Sequence, residues 1–142
     1  MLTTYFPFDS LFSVCPEAKP FFGFLEDFPM DEIRRSKRIL VHGSFIVEMV
    51  ERALDWIGQD DFELEKMLHE LGTKHSQYNV KPEHMPYMQK SIIIMLKTLL
   101  KEDAFSSDDE RAWDSVLSSL VANITRAQRA IAMKKLSEEL VL

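Results

Sequence analysis

The chain has 142 residues, of which 46% are hydrophobic and 28% charged, and this length and composition are those of one globular domain. Its formal net charge of −6 argues against a nucleic-acid partner, because acidic surfaces are repelled by phosphate backbones. A single cysteine, Cys15, excludes an internal disulfide and a multi-cysteine zinc site, and it is typical of a reducing compartment.

The sequence shows no sign of a membrane or export segment. No apolar run approaches the roughly 20 residues of a membrane span. The apolar start, residues 1–12, lacks the basic stretch of a signal peptide. We therefore expect a cytoplasmic protein with no membrane partner.

Prolines divide the phenylalanine-rich first thirty residues into short elements. Because proline is accepted in the first turn of a helix, Pro7 is expected to open a short helix that ends before Pro16. Pro16 or Pro20 is expected to open a second short turn. The phenylalanine side chains of this segment are expected to fill a core.

Four longer helices are predicted from apolar residues that recur every three or four positions. They cover about 36–58, from 60 or 61 to about 76, 82–101, and from 106 or 107 onward. Ser36 is a plausible N-cap and Gly58 a plausible stop. No segment alternates with the period of a strand, so the fold class is all-α. We expect one domain with a core at about 6–126 and a more charged helical extension at about 127–142.

Two histidines fall on the inward faces of separate helices. The apolar positions of the first helix are Ile39, Gly43, Ile46, Val50, Ala53 and Ile57, and those of the second are Leu64, Met67, Leu68, Leu71 and Tyr78. His42 lies at the edge of the first series, and His75 stands within the second. A buried imidazole without partners costs about 1–3 kcal/mol. A metal centre between the two helices would satisfy both rings, although a single histidine is more often merely hydrogen-bonded or exposed.

Other chemistries find little support. The chain contains none of the common nucleotide-binding, hydrolase, metalloprotease or calcium-loop motifs. Cys15 is best interpreted as a small buried residue. His69 lies off the apolar face of its helix, and His84 is expected to be exposed in a loop.

Three strings in the chain, taken in order, resemble animal globins of the neuroglobin/cytoglobin type. They are PEAKPFF at 16–22, HGSFI at 42–46 and LGTKH at 71–75, with 20 residues between Phe22 and His42 and 33 between His42 and His75. The resemblance covers about residues 8–126 and implies a globin-like, 3-on-3 helical fold with a truncated N-terminus. The family's usual first helix has no counterpart here. Either the fold tolerates its loss or the chain is a truncated form.

The resemblance also implies a cofactor, haem b, and a role for each matched residue. His75 would be the proximal iron ligand, and His42 the distal residue and an optional sixth ligand. Phe22 would pack against the macrocycle. The pocket would be lined and closed by Ile46, Leu71, Val80, Met85, Met88, Phe8 and Leu117. Phe45 stands where the family often has a base for a haem propionate, so Lys74 or another base would take that role.

The implied function is reversible binding of a diatomic gas, O₂ or else NO or CO, for storage, transport or sensing, and no catalytic residue is assigned. Two alternatives stay open at this point. One is a haem enzyme such as an NO dioxygenase, nitrite reductase or peroxidase served by an electron-donor reductase. The other is a helical interaction module that has lost its haem. The apolar edge left by the absent first helix also suggests a homodimer.

Overall fold

The computed structural model describes residues 6–141, with side chains at all of these positions except 6, 7 and 102. Residues 1–5 of the apolar start lie outside the described residues. Its α-helices are α1 (Phe6–Val14), α2 (Met30–Arg34), α3 (Lys37–Trp56), α4 (Asp61–Gln77), α5 (Met85–Ala104) and α6 (Ser107–Val141). Two 3₁₀ segments, Pro16–Phe22 and Pro82–His84, lie between them. The described residues form no strand, so the all-α prediction is confirmed.

Polar side chains at the helix starts explain where α4 and α6 begin. The Asp60 carboxylate accepts a hydrogen bond from the Glu63 N–H, at 3.1 Å, and so caps α4. Before α6, the Asp109 carboxylate accepts from the Ser106 N–H, at 2.9 Å, and the Asp109 N–H donates to the Ser106 hydroxyl, at 3.1 Å. The Ser106 N–H and the Ser106 hydroxyl, which both donate to the Asp109 carboxylate at 2.9 Å, lower the pKa of Asp109. Ser36 precedes α3 as predicted, but its side chain makes no capping hydrogen bond.

The short helix α2 was not predicted. Its five residues are too few to show a helical repeat in the sequence. The helix is held by a tertiary contact, because Arg34 pairs with Asp9 of α1 at 3.0 Å. Ile33 of α2 is completely buried against α1.

The buried side chains form two clusters that meet on α3 and α5. The larger cluster joins α4, α5 and α6, and its buried members include Leu68, Met85, Ile92, Leu117 and Ile124. The smaller cluster is built from α1 and the segment that follows it, with Phe8, Leu11, Phe12, Cys15 and Ile33 among its buried members. Ile46 and Met88 pack against both clusters. The two residues therefore mark the place where the clusters adjoin.

Two residues of the predicted inward faces lie at the surface instead. Ile57 is 41% exposed and Tyr78 is 71% exposed. Each follows the last residue of its helix, and there the chain turns away from the helix axis. A helical repeat cannot predict the direction of a side chain after the helix has ended.

Helix α6 is unbroken over 35 residues and is only partly packed. Gln128 is buried and Ile131 half-buried, whereas every residue from 132 to 141 is exposed. None of the described helices combines the length and the apolar character that crossing a membrane requires.

Gly72 allows α4 and α6 to approach closely, and Gly72→Ala is expected to lower the free energy of unfolding by roughly 1–3 kcal/mol. An added Cβ would lie 2.5 Å from the Ile124 carbonyl oxygen and 2.6 Å from the Ala127 Cβ. The two helices would have to separate. Urea denaturation followed by circular dichroism measures this loss.

Gly58→Ala is the matched control. Nothing lies within 4 Å of its added Cβ, so only the left-handed backbone, with φ of 74°, opposes the change. We expect Gly58→Ala to lower the free energy of unfolding by about 1 kcal/mol. An equal or smaller loss for Gly72→Ala would contradict the proposed close packing.

Candidate functional site

The imidazole of His75 is held in one tautomer by its own helix. Its Nδ1 lies 2.7 Å from the Leu71 carbonyl oxygen, one turn earlier on α4. Because a carbonyl oxygen can only accept, Nδ1 carries the proton and Nε2 presents its lone pair. The hydrogen bond also fixes the orientation of the ring, as second-shell partners do for metal-binding histidines.

His42 of α3 is a half-buried imidazole among aromatic rings. Its ring meets that of Phe22 edge-on at 5.2 Å and that of Phe8 at 5.7 Å. Neither ring nitrogen has a hydrogen-bond partner among the described residues. Burial, and then the charge of His75, lower the pKa of His42 to about 4, so the ring is neutral near pH 7.

The charge of His75 contributes to the lowered pKa of His42, and the helices that carry the two residues, α3 and α4, pack on each other. One ring has a fixed tautomer with a free Nε2, and the other is neutral and without a hydrogen bond. The arrangement provides two nitrogen donors of the kind that bind iron.

Phe22 is brought to His42 by backbone and ring contacts. Arg38 of α3 donates a hydrogen bond to the Phe22 carbonyl, which ties the end of the 3₁₀ segment to α3. The ring of Phe22 packs edge-on against Phe8, at 5.1 Å, and Phe12, at 5.7 Å. These contacts place Phe22 beside the distal candidate, although about 20 residues separate the two in sequence.

The other predicted pocket residues belong to the two clusters or pack against them, with one exception. Ile46, Leu71, Val80 and Met88 are half-buried against the larger cluster, whereas Met85 and Leu117 are buried within it. Phe8 is completely buried in the smaller cluster. The exception is Lys74, which is exposed.

Lys74 lies with Phe45 in an open groove of about 290 Å³ between α3 and α4. The groove also contains Glu48, Met49, Arg52, Met67, Glu70 and Leu71. Phe45 is 60% exposed and offers no charge. The ammonium group of Lys74 makes no ion pair with any described residue, so it is available to a carboxylate.

The two remaining histidines differ from each other. His69, which the helical repeat places off the apolar face, is exposed in a second groove of about 400 Å³ between α4 and α6. His84 was predicted to be exposed in a loop, whereas it ends a 3₁₀ segment and is half-buried. Its ring packs edge-on against Phe21 at 5.1 Å, and its Nδ1 accepts from the Lys81 N–H at 3.0 Å.

Sequence analysis missed Gln128, a buried polar residue next to the site. Its Nε2 donates to the Val80 carbonyl at 2.8 Å, and the Val80 N–H donates to the His75 carbonyl at 3.0 Å. The chain of bonds connects α6 to the backbone of His75. The only sequence signal was a glutamine at a position of α6 where the helical repeat points inward.

Cys15 agrees with its interpretation as a small buried residue. It is a free thiol, 2% exposed, and burial followed by the charge of Glu17 raises its pKa. A thiol that is protonated and covered is a poor nucleophile.

Comparison with known proteins agrees with this geometry. The family model of the globins matches residues 6–124. This chain belongs to the globin family. The globin is also 27% identical to neuroglobin from Tetraodon nigroviridis over 120 residues, which are 84% of this chain and 74% of that relative.

The residues present fit the haem that the globin family implies. Iron in a macrocycle needs axial donors on one or both faces, and this globin provides the free Nε2 of His75 and the neutral ring of His42. The donor set therefore fits. The rings of Phe8 and Phe22 pack on that of His42. Lys74 is the one base of the α3–α4 groove without an ion pair to a described residue, and it would meet a propionate.

Acid is expected to destabilise the haem-free globin through His42. Between pH 6.5 and about 4 the unfolded chain binds a proton that the folded chain does not, so stability falls as pH decreases through this window. Above pH 6.5 the His42 imidazole is neutral in both states, so it adds no pH dependence to the free energy of unfolding. The total loss is about 3 kcal/mol, measurable by urea denaturation at a series of pH values.

The His42→Leu variant isolates this contribution, because the carboxylates of the globin titrate alike in both proteins. Its stability should change less than that of the unaltered chain between pH 6.5 and 4. Parallel stability curves for the two proteins would contradict the burial of a neutral His42.

Proposed function

We propose that this globin binds haem b and uses it to bind O₂ reversibly, for storage, transport or sensing, with NO and CO as alternative ligands. The observation that carries the proposal is the fixed tautomer of His75, whose Nε2 has no hydrogen-bond partner among the described residues, together with a neutral His42 on the adjoining helix. Membership in the globin family supports the same cofactor.

Each part of the site has a distinct role in this proposal. When bound, haem supplies a ferrous iron that takes up a diatomic gas reversibly. His75 would hold the iron through Nε2, since the Leu71 carbonyl occupies the proton of Nδ1. Phe22 would pack against the macrocycle, and Lys74 would pair with a propionate.

The distal side would combine a polar group with an apolar wall. Phe8, whose ring packs on that of His42 at 5.7 Å, would exclude water from the distal side together with Ile46 and Met88 of the same cluster. A dry site disfavours the charge separation that would release superoxide. An N–H of His42 would donate a hydrogen bond to a polar ligand such as O₂. The same ring could instead coordinate the iron, and an external ligand would then have to displace it.

We favour coordination by both histidines in the absence of gas. His42 has no competing hydrogen bond, and its proton is already lost at neutral pH, so its lone pair is available without further cost. The single free cysteine agrees with a cytosolic location for such a protein.

The test is an absorption spectrum of the purified full chain titrated with hemin, then reduced, with and without CO. We expect one haem per chain and a CO-dependent shift of the Soret band. In the reduced protein without CO, sharp and split visible bands would indicate that His42 is bound, whereas one broad band would indicate an open site.

A chain that stays colourless after addition of hemin would overturn the proposal and would leave a haem-free helical module. An enzymatic role is tested separately, by turnover of NO, nitrite or peroxide with a supplied electron donor. Sustained turnover would replace gas binding as the function without changing the cofactor.

A further inference from the structure

The chain between the first 3₁₀ segment and α2 runs along the surface. Residues 23–29 form neither helix nor strand, and most of them are exposed. Lys19 shapes this stretch from within the preceding segment, because its ammonium group donates to the Glu26 carbonyl at 2.8 Å and to the Phe28 carbonyl at 3.3 Å. These bonds fold the stretch back on itself, but they do not attach it to α3.

Arg38 provides the attachment to α3. Its guanidinium donates a hydrogen bond to the Phe22 carbonyl oxygen. Among the described residues, this is the one hydrogen bond that joins any part of residues 16–29 to α3. The backbone position of Phe22 relative to α3 therefore depends on a single side chain.

Gly23 leaves the space that the Arg38 guanidinium occupies. It ends the 3₁₀ segment with a left-handed φ of 82°, and an added Cβ would overlap Nη1 of Arg38. A side chain at position 23 is thus opposed both by the backbone and by Arg38. At Gly58, whose φ is 74°, nothing lies within 4 Å of an added Cβ. The two glycines share a backbone conformation, but only Gly23 also accommodates a partner.

Helix α3 contacts Phe22 at two points. Arg38 and His42 are four residues apart, so they lie on one side of the helix about one turn from each other. Arg38 binds the carbonyl of Phe22, and the imidazole of His42 meets its ring edge-on at 5.2 Å. Because His42 has no hydrogen-bond partner among the described residues, the rings of Phe22 and Phe8 are what restrain it. Release of the Phe22 carbonyl would loosen one of these two restraints.

We propose that Arg38 is a positioning residue for His42 and that it acts through Phe22. By fixing the Phe22 carbonyl, it keeps the ring of Phe22 against the imidazole and so limits the orientations that His42 can adopt. A donor that is already ordered loses less entropy when it forms a hydrogen bond, so it stabilises a bound ligand more. The inference rests on the proposed function, in which His42 donates to O₂ on the haem iron.

The ratio of O₂ affinity to CO affinity tests the proposal in the haem-loaded chain, because a hydrogen bond from His42 stabilises polar bound O₂ more than bound CO. Arg38→Met keeps a long side chain but removes its donors, and Arg38 is exposed, so the buried core is not disturbed. We expect the ratio to fall by ~5-fold, the effect of about one hydrogen bond. Arg38→Lys, which keeps a donor, should restore most of the ratio.

Lys37→Met is the matched control. Lys37 is the exposed neighbour of Arg38, and it makes no hydrogen bond or ion pair with any described residue. The substitution removes the same charge from the start of α3, so it should leave the ratio unchanged. An equal fall of the ratio in Lys37→Met and Arg38→Met would contradict the proposal, because the charge and not the tether would then be responsible.

Combination with His42→Leu shows whether Arg38 acts through His42. In that background the donor is absent, so Arg38→Met should produce no further change in the ratio. A role that is merely structural would give the same loss in both backgrounds. That result, or an unchanged ratio in Arg38→Met alone, would overturn the proposal.

Gly23→Ala displaces the guanidinium without altering Arg38 itself. We expect it to lower the ratio as Arg38→Met does. Gly58→Ala, which has a similar left-handed φ and no neighbour, should leave the ratio unchanged. Equal ratios in Gly23→Ala and Gly58→Ala would contradict the role of Arg38.

Hydrogen exchange in the haem-free chain separates failure of this inference from failure of the proposed function. The Phe24 N–H donates to the Lys19 carbonyl at 3.2 Å, in the turn that follows Phe22. If Arg38 holds this turn, the Phe24 amide should exchange ~5-fold faster in Arg38→Met than in Lys37→Met. Equal exchange rates would overturn the tether even in a chain that takes up no haem. Faster exchange with an unchanged gas ratio would overturn the positioning of His42 and leave the proposed function intact.

Discussion

Replacing His75 with alanine is expected to abolish one-to-one haem binding. The variant removes the imidazole whose Nδ1 donates to the Leu71 carbonyl and whose Nε2 is free. A hydrogen bond at Nδ1 raises the basicity of the ring and fixes its direction, so His75 should be the stronger of the two iron ligands. His42 lacks such a bond and should not replace it. Haem affinity should fall by more than ~100-fold, because loss of a ligand costs more than loss of its supporting bond.

Titration with hemin, followed at the Soret band, measures the loss. His69→Ala is the matched control, because His69 lies on the same helix but is exposed. Added imidazole is expected to restore part of the haem spectrum to the His75 variant by entering the space that the side chain leaves. Unchanged stoichiometry and an unchanged spectrum in His75→Ala would remove the basis for the proposed function.

Replacing His42 with leucine is expected to preserve haem binding and to change the preference between gases. O₂ becomes polar when it binds and gains from a hydrogen bond to the imidazole, whereas CO gains little. A hydrogen bond to a group with charge character contributes about 1.5–3 kcal/mol. The ratio of O₂ affinity to CO affinity should therefore fall by ~10- to 150-fold.

The ratio of O₂ affinity to CO affinity is the informative quantity, because it does not depend on whether His42 coordinates the iron in the absence of gas. If His42 competes for the iron, it lowers the apparent affinity of both gases by the same fraction, and that fraction cancels in the ratio. Phe45→Leu, three residues further along α3 and 60% exposed, serves as the control and should leave the ratio unchanged. An unaltered ratio in His42→Leu would mean that His42 donates no hydrogen bond to the ligand.

The helices and the two histidines could be predicted because they depend on local patterns. Repeats of three and four residues mark α3 to α6, and capping at Asp60 and Ser106 marks two of their starts. His42 and His75 stood out because a polar ring on an apolar face requires a partner. The position of Phe22 came from resemblance to a family and not from any local rule.

Contacts between distant segments could not be predicted in this way. Helix α2 depends on the pairing of Arg34 with Asp9, and the coverage of His84 depends on Phe21. Gln128 became part of the site only because α6 places its amide 2.8 Å from the Val80 carbonyl. Each of these effects arises from side chains that are far apart in sequence.

The amino-acid sequence by itself determined an all-α chain with inward-facing histidines on two of its helices, because hydrophobic period and capping act within a few residues. Only the tertiary structure decided the burial that keeps His42 neutral and which apolar side chains of α3 and α6 are left exposed. These properties depend on the distances between helices and on the exclusion of water, and both exist only after the helices have packed.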